Sequence, residues 1–437
     1  MKVVNKTTSI CHKCQKAIPA RVFIKQGRVW IESDCPEHGK TVSDHVWDDP
    51  EIYRGLRSIK LAPNRGTQTL VDITNKCNLN CKICFARANE YKGDKFKKEY
   101  LDELLDHDRI FISGGEPTVR EDLPDILRRC VRNGQKPVLF SNGIKLADYA
   151  YARKLKEAGL RSVLLQLDTL REEDCDYIRG RKLVRVKIKA LRNLCKLNIP
   201  VSVWVVVVRN RNLKDLKEIY NFVFRFPNVK TVSAIPIWRI GRYDKNDFVP
   251  PSEILKELER NYPGLDKREF IETTRLMCNI DRFFIHFGWK RGRIFGACMI
   301  KSLVFDYKGH CLPLGRIFNL KFVNSSIEKI LSGRKQRWCL IGPVSKLLFW
   351  QGIVNSIRNR YFRAVLGQLA FNLRHLFTKK YLLVSPFRFI TVGIYPSPQN
   401  IDLDFIKACN TYALDNKDHQ LRPACLHYIN KEKKLIK

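Results

Sequence analysis

The sequence predicts an α/β fold in which a parallel sheet is the largest element. Between residues 66 and 240, apolar runs of strand length alternate with helical patterns, and this alternation is typical of βαβ units. Cysteine motifs stand on either side of the first of these strands, one near the N-terminus and one directly after it. These observations predict a metal-binding domain at 1–55, an α/β core at 56–245 and a C-terminal extension at 246–437.

The α/β core is predicted to contain six strand–helix units. Its strands are expected at 68–74, 108–113, 136–141, 161–168, 200–208 and 229–237. Helices are expected between them, for example at 121–132, 146–158, 185–197 and 213–224. In barrels of such units the functional residues lie at the carboxyl ends of the strands. We therefore look for chemistry in the loops that follow each strand.

Composition and charge limit the classes of protein that this chain can be. The 437 residues are 44% hydrophobic, which is enough for two or three domains with real cores. Fifteen cysteines without a signal peptide favour a reducing cytoplasm and metal-bound thiolates. No apolar run is long enough to span a bilayer. The net charge of +36 predicts an anionic partner, such as a nucleic acid, an anionic membrane surface or an acidic substrate.

The N-terminal motif predicts a metal site with four ligands. Cys11 and Cys14 precede a predicted hairpin, and Cys35 and His38 follow it. Two short pairs of soft ligands on either side of a hairpin are typical of a mononuclear tetrahedral site that holds zinc or rubredoxin-type iron. The alternative is a three-coordinate site with His38 as a surface residue. Such ribbons are usually structural, so we assign no chemistry to this domain.

The second motif is Cys77, Cys81 and Cys84, in a loop directly after the first strand of the core. Three thiolates can bind three irons of a [4Fe–4S] cluster and leave the fourth iron open to a small molecule. A zinc loop or buried cysteines are the alternative. The next predicted strand runs into Gly114-Gly115-Glu116-Pro117, where glycine lets the backbone approach a ligand closely.

Together the cysteine loop and the Gly-Gly-Glu-Pro loop resemble the radical S-adenosylmethionine (SAM) superfamily. The resemblance implies a partial (β/α)6 TIM-like barrel in which Cys77, Cys81 and Cys84 hold a [4Fe–4S] cluster. It also implies that SAM binds the open iron and that residues 114–117 line its methionine, with Glu116 accepting from the ammonium. Further candidates at strand ends, for SAM or substrate, are Ser141, Asn142, Gln166 and Asp168. For each of these four, turn formation or strand capping is an equal alternative.

The C-terminal extension is expected to be an α+β region with auxiliary cysteines. Residues 306–313 resemble the hairpin of the SPASM or twitch extensions that follow many radical SAM barrels. We predict an auxiliary [4Fe–4S] cluster there, although the full cysteine pattern of those extensions is absent and buried free thiols are the alternative. The candidate ligands are Cys298, Cys311, Cys339, Cys409 and Cys425.

One segment of the extension has an unusual composition. Residues 329–401 contain no Asp or Glu but twelve Lys or Arg, and within them 345–383 follows a helical apolar repeat that includes Trp350, Ile357 and Tyr361. Basic residues beside an apolar face are typical of a helix in a membrane interface. We therefore predict a cytoplasmic protein held peripherally at the inner face of the membrane. A helix packed in the core is the alternative.

The residues in and around these motifs resemble most specifically the branch of the superfamily that contains archaeal tetraether lipid synthase and methanopterin-methylating enzymes. That branch implies a 5′-deoxyadenosyl radical that abstracts hydrogen from an unactivated carbon, and a ferredoxin or flavodoxin as reductant. Together with the basic segment at 329–401, the resemblance to that branch favours a membrane lipid as substrate. Pterin, peptide or RNA substrates are alternatives, although no RNA-binding module is recognisable. A non-catalytic iron–sulfur protein is the alternative of another class.

Overall fold

The computed structural model describes residues 2–62, 68–90, 96–243, 245–286, 298–307, 310–332, 387–407, 409–416 and 418–436. Its strands are β1 Lys2–Ile10, β2 Ala17–Lys25, β3 Arg28–Cys35, β4 Gly39–Asp44, β5 Gln68–Thr74, β6 Arg109–Gly114, β7 Lys136–Ser141, β8 Ser162–Gln166, β9 Val201–Val207, β10 Val229–Pro236, β11 Met299–Tyr307, β12 His310–Pro313, β13 Phe387–Gly393, β14 Thr411–Leu414 and β15 Leu421–Pro423.

The α-helices are α1 Pro50–Arg57, α2 Leu123–Arg132, α3 Tyr149–Glu157, α4 Glu172–Arg179, α5 Val184–Lys196, α6 Leu216–Val223, α7 Pro251–Asn261, α8 Lys267–His286, α9 Leu320–Ser332, α10 Leu403–Ile406 and α11 Ala424–Ile436. Short 3₁₀ helices occupy Lys98–Leu104, Pro117–Val119, Lys145–Ala147, Lys245–Asp247 and Leu314–Arg316.

The N-terminal residues form a four-stranded antiparallel sheet in the order β1-β2-β3-β4. The predicted hairpin joins β2 to β3, and Gln26 and Gly27 make its turn with φ of +51° and +71°. Positive φ at both turn residues suits the right-handed twist of the strands. Val22, Val29 and Ile31 bury one face of the sheet. The hairpin prediction is confirmed, and β1 and β4 are additions to it.

The core is a parallel sheet in which β5, β6, β7, β8, β9 and β10 lie side by side in chain order. All six predicted strands are present, and helices α2, α3, α5 and α6 lie in the connections where they were expected. This confirms the α/β prediction of a partial barrel behind a small N-terminal sheet.

The C-terminal third extends this sheet at both ends. β13 pairs parallel with β10, and β14 pairs parallel with β5. β11, β12 and β15 then pair antiparallel at the two edges. The hairpin expected at 306–313 is present as β11 and β12. The sequence did not predict the pairings of β13 with β10 and of β14 with β5, because they join segments more than 150 residues apart through backbone hydrogen bonds that leave no local pattern. The domain limits at 55 and 245 stay predictions.

Strand β9 shows how the two faces of the sheet differ. Val201, Val203, Val205 and Val207 are buried against the helices. Trp204 points to the opposite face, where it is half-buried and its ring meets that of Phe140 at 5.1 Å between centroids. The alternation of a strand places it on the inner face of the barrel.

Two predictions fall wholly outside the described residues, namely Cys339 as a cluster ligand and the amphipathic helix at 345–383. In the part of the chain that the structure describes, no helix combines the length and the apolarity needed to cross a bilayer.

Candidate active site and metal centre

Three cysteines lie in the loop that follows β5, at the carboxyl edge of the sheet. Cys81 is buried, and Cys77 and Cys84 are half-buried beside it in one apolar cluster. The backbone N–H groups of Leu79 and Ala88 donate to the sulfurs of Cys77 and Cys84 at 3.4 and 3.5 Å. Such donors stabilise a thiolate, so the loop is prepared for metal ligation.

The three thiols and a carboxylate influence one another. Burial raises the pKa of the Cys77 thiol to about 12, and the charges of Glu116, Cys81 and Cys84 act in the same direction. Three thiolates this close in a buried loop need a cation between them. A soft donor set of three sulfurs from one loop fits three irons of a [4Fe–4S] cluster.

The loop after β6 packs directly on the cysteine loop. Gly115 N–H donates to Thr74 O at 2.8 Å, and Glu116 N–H donates to Lys76 O at 2.9 Å. A Cβ atom on Gly114 would lie 2.2 Å from Thr74 O, and one on Gly115 would lie 2.2 Å from Lys76 O. The two glycines are therefore required by the backbone of the cysteine loop itself. Their contact with the SAM methionine stays a prediction.

Glu116 joins three loops through its buried carboxylate. Its Oε1 accepts from the Thr118 and Ser141 hydroxyls at 2.6 and 2.9 Å, and its Oε2 accepts from Asn142 N–H at 2.7 Å. Burial raises the pKa of Glu116, and these donors act against that rise. Pro117 begins the 3₁₀ turn that presents Thr118. The structure thus gives Glu116 a positioning role, and its contact with a SAM ammonium stays a prediction.

Two of the candidates after β7 are engaged with neighbouring loops. The Ser141 hydroxyl also accepts from Gly143 N–H at 3.0 Å. The Asn142 side chain donates to Asn78 Oδ1 in the cysteine loop at 2.8 Å and accepts from Ile144 N–H at 3.0 Å. Both side chains therefore take part in turn formation, which is the alternative to a contact with SAM or substrate.

Asp168 forms a buried ion pair that the sequence did not predict. Arg179 donates to both carboxylate oxygens at 2.8 Å, and Val206 N–H donates to Oδ1 at 2.9 Å. Both partners are at least 95% buried. Burial acts to raise the pKa of Asp168, but the Arg179 guanidinium holds it below its usual value. Arg179 therefore pairs with both oxygens of the Asp168 carboxylate, which was a candidate for contact with SAM or substrate.

A second buried cation, Lys187, lies beside this pair. Its Nζ donates to the backbone O and the Oε1 of Gln166, both at 3.1 Å. Burial lowers the pKa of Lys187, with Asp168 acting against that change. Sequence reasoning missed both cations. The signal for Lys187 was its position on the apolar side of α5, three residues after buried Val184.

The N-terminal ligands converge as predicted. The four donor atoms of Cys11, Cys14, Cys35 and His38 lie within 4.8 Å of one another. The Nδ1 atom of His38 is 3.7 Å from Cys11 Sγ and 3.5 Å from Cys35 Sγ. Cys14 Sγ lies 3.8 Å from Cys35 Sγ. Zn–S bonds of about 2.3 Å in a tetrahedron place sulfurs roughly 3.8 Å apart, so this distance fits a mononuclear site. Burial acts to raise the pKa of Cys11, but backbone N–H donors bring it to about 6.

Comparison with known families agrees with this geometry. Residues 71–223 match the family model of the radical SAM superfamily, and residues 3–48 match the HMPTM N-terminal zinc ribbon domain. Residues 71–223 therefore form a radical SAM domain. It follows an N-terminal zinc ribbon domain, where the sequence predicted a mononuclear site for zinc or iron.

Several curated proteins are similar to this chain over part of their length. The 7,8-dihydro-6-hydroxymethylpterin dimethyltransferase of Methanocaldococcus jannaschii is 34% identical over 283 residues, which are 56% of this chain and 55% of that protein. A probable GTP 3′,8-cyclase of Pyrococcus abyssi is 29% identical over 204 residues, 44% of this chain and 66% of that protein. The chain therefore spans about half to two thirds of the relatives it matches.

Among solved structures, Streptococcus suis SuiB bound to S-adenosylmethionine aligns with a TM-score of 0.39 and 17% identity. The alignment covers 44% of this chain and 46% of that one.

The auxiliary cysteines separate into two places around the radical SAM domain. Burial raises the pKa of Cys425 well above its usual value, and the nearby thiols of Cys409 and Cys298 add to that rise. Burial raises the pKa of Tyr395 as well, and the same three thiols add to that rise. Cys311, on β12, pairs with Asp306 of β11. Asp306 is eight residues along the chain from Cys298, which directly precedes β11. At about 3.3 Å per residue this is roughly 26 Å. Cys311 and Cys298 are therefore too far apart to ligate one cluster, a grouping that the sequence left open.

Removing one ligand of the zinc ribbon is expected to unfold the small sheet without unfolding the barrel. The physical reason is that metal binding and folding are coupled in such modules. The variant is Cys14→Ser in the full chain, measured by elemental analysis and hydrogen exchange over residues 2–48. The control is Cys195→Ser, a half-buried cysteine on α5. Unchanged metal content and protection in Cys14→Ser would contradict the four-ligand site.

Proposed function

We propose that this protein is a radical SAM enzyme that cleaves S-adenosylmethionine reductively and abstracts hydrogen from an unactivated carbon. The observation that carries the proposal is the set of three thiols in one packed loop at the carboxyl edge of β5. The loop containing Gly115 and Glu116 is hydrogen-bonded onto it. The cluster that Cys77, Cys81 and Cys84 would hold supplies the electron for cleavage when it is bound.

The other residues of the site act by holding the loops in place. Glu116 fixes Ser141 and Asn142 relative to the cysteine loop, and Arg179 fixes Asp168 at the end of β8. Residues 114–117, Ser141, Asn142 and Gln166 are proposed to line SAM from the same edge. Asp168 is proposed to position Arg179 rather than to contact SAM.

For the substrate we propose a flat heterocycle of the pterin class. One support is the similarity to the pterin dimethyltransferase over 56% of the chain. The other is a row of half-buried aromatic rings on the inner face of the sheet. Phe111 meets Phe140 at 5.8 Å between centroids, and Phe140 meets Trp204 at 5.1 Å. Aromatic side chains bind planar rings by stacking, worth about 1–3 kcal/mol per ring.

A membrane lipid is the second candidate. Its support is the sequence of residues 329–401, which combine twelve basic residues, no acidic ones and an apolar repeat. With this substrate the protein would sit peripherally on an anionic membrane, and each basic residue near the surface would contribute about 1 kcal/mol. Such binding weakens as salt shortens the Debye length from about 10 Å at 0.1 M to about 3 Å at 1 M.

We further propose that Cys298, Cys409 and Cys425 are the described ligands of an auxiliary cluster. Their mutual proximity near Tyr395 supports this grouping. Cys409 Sγ lies 3.1 Å from Thr411 O, the geometry of a thiol that donates its proton until metal replaces it. Cys339 stays a proposed fourth ligand. Iron counts of the wild type and of Cys425→Ala test the grouping, with a loss of about four irons expected for one cluster.

The test of function is anaerobic reconstitution with iron, sulfide, SAM and dithionite, followed by mass spectrometry. We expect release of 5′-deoxyadenosine, and a mass change in either a 7,8-dihydropterin or a total lipid extract. Pelleting with anionic vesicles at low and high salt tests the membrane proposal separately. A fully reconstituted protein that releases no 5′-deoxyadenosine would favour the non-catalytic iron–sulfur alternative.

One variant pair tests the pterin proposal. Trp204→Leu removes a ring from the inner face, and Trp30→Leu removes a half-buried ring from the zinc ribbon. If the substrate is a pterin, Trp204→Leu weakens its binding while Trp30→Leu leaves it unchanged. Equal pterin binding by wild type and Trp204→Leu would contradict the stacking proposal.

A further inference from the structure

Helix α5 differs in charge from the other described helices. It contains no Asp or Glu, whereas each of the other ten described α-helices contains at least one. Its outer face carries Arg185, Lys189, Arg192 and Lys196, spaced four, three and four residues apart. This spacing places all four on one side of a helix.

These four residues, with Arg181 and Lys182 just before the helix, form what we call the basic face of α5. All six are exposed. Among the described residues none of their side chains lies within ion-pair distance of a carboxylate, and this includes the exposed Glu173 and Asp176 of α4. Some basic residues on other helices are paired, as Arg128 is with Asp125 and Arg153 with Glu157. The basic face is therefore an uncompensated positive surface.

The opposite side of α5 contacts the cysteine loop. Val184 packs in the same apolar cluster as Cys81, and Val186 and Ile188 pack against that cluster. Lys187 lies on this inner side, where its Nζ reaches the end of β8 at Gln166. A single helix, about 10–12 Å across with its side chains, thus separates the basic face from the proposed cluster site.

We infer that the basic face of α5 docks a small acidic electron-carrier protein that reduces the cluster. The inference rests on the proposed radical SAM function, because each reductive cleavage consumes one electron that must enter from outside the chain. Electron tunnelling falls steeply with distance, so the carrier must dock on a surface close to the cysteines. The first two turns of α5 are such a surface.

Charge decides the kind of partner. Electron-transfer complexes are small and transient, and complementary charge raises their association rates by about 10- to 1000-fold at low salt. Six unpaired cations beside the site fit a carrier with an acidic rim around its cofactor. A nucleic acid or an anionic membrane would also be attracted to this face, but neither would account for its position over the cysteine loop.

The test compares two reductants on the cluster-loaded protein. The variant is Lys189→Glu/Arg192→Glu, and the matched control is Arg54→Glu/Arg57→Glu on α1, a helix that contacts β3 and α8. Each pair changes the net charge by the same amount on an exposed surface. The release of 5′-deoxyadenosine is measured with reduced flavodoxin and with dithionite. Flavodoxin binding is also measured directly by calorimetry at low and high salt.

We expect the α5 variant to bind flavodoxin on the order of tenfold more weakly at low salt, and to lose flavodoxin-driven cleavage to the same degree. Dithionite-driven cleavage and the α1 control should stay at the wild-type level. Equal flavodoxin binding by both variants overturns the inference. So does an equal loss with both reductants. No cleavage by the wild type with dithionite would instead contradict the proposed function.

Discussion

Replacing Cys77, Cys81 and Cys84 together by alanine is expected to abolish the reductive cleavage of SAM. The three sulfurs lie in one packed loop, and no other described cysteine except Cys175 shares that cluster. Without thiolates the loop has no side chain of the kind that holds an iron–sulfur cluster. The measurement is 5′-deoxyadenosine release after reconstitution, together with the iron content. We expect release to fall to background and about four irons to be lost.

The control for this variant is Cys130→Ala on α2, which removes a thiol from the core on the helix side of the sheet. It should keep the cluster and its activity, although it loses some stability. Continued release of 5′-deoxyadenosine by the triple variant would show that the cleavage, if present, uses another site.

Replacing Arg179 by methionine is expected to destabilise the protein by about 3–5 kcal/mol, because it leaves the Asp168 carboxylate buried without its partner. Both groups are nearly inaccessible, and the guanidinium donates to both oxygens. Arg179→Met/Asp168→Asn removes the charge as well and should recover much of the loss. Urea unfolding followed by tryptophan fluorescence measures the differences in free energy of unfolding.

The matched control is Arg128→Met, which breaks an exposed Arg–Asp pair on α2. Exposed pairs contribute about 0–1 kcal/mol, so this variant should unfold close to the wild type. If Arg179→Met and Arg128→Met lower the free energy of unfolding by the same amount, the buried ion pair does not hold the end of β8 in place.

Local patterns determined most of the barrel and both metal motifs. The six strands β5 to β10 could be located because each buries alternate or continuous apolar residues against the helices that follow them in the chain. The ribbon ligands and Cys77, Cys81 and Cys84 could be identified because each set lies within a few residues or across one hairpin. Spacing along the chain then controls distance in space.

Contacts between distant segments decided what these patterns could not. Asp168 was a candidate ligand in the sequence, and only the fold places Arg179 on both of its oxygens. Gly114 and Gly115 were expected to face a ligand, and the fold places the carbonyls of Thr74 and Lys76 against them. Cys311 and Cys298 looked equivalent, until β11 separated them by most of its length.

The sequence by itself determined the chemistry that the cysteine loop and the ribbon can support, because ligand type and short spacing are properties of the chain. Only the tertiary structure decided which side chains remain available at that site and which surface lies nearest to it. The physical reason is that burial, hydrogen bonding and charge compensation depend on neighbours from other strands and helices. Lys187 lies between Arg185 and Lys189 in the sequence. Because α5 packs against the cysteine loop, Lys187 is buried on the side of the cysteine site and the basic face of α5 is exposed to solvent.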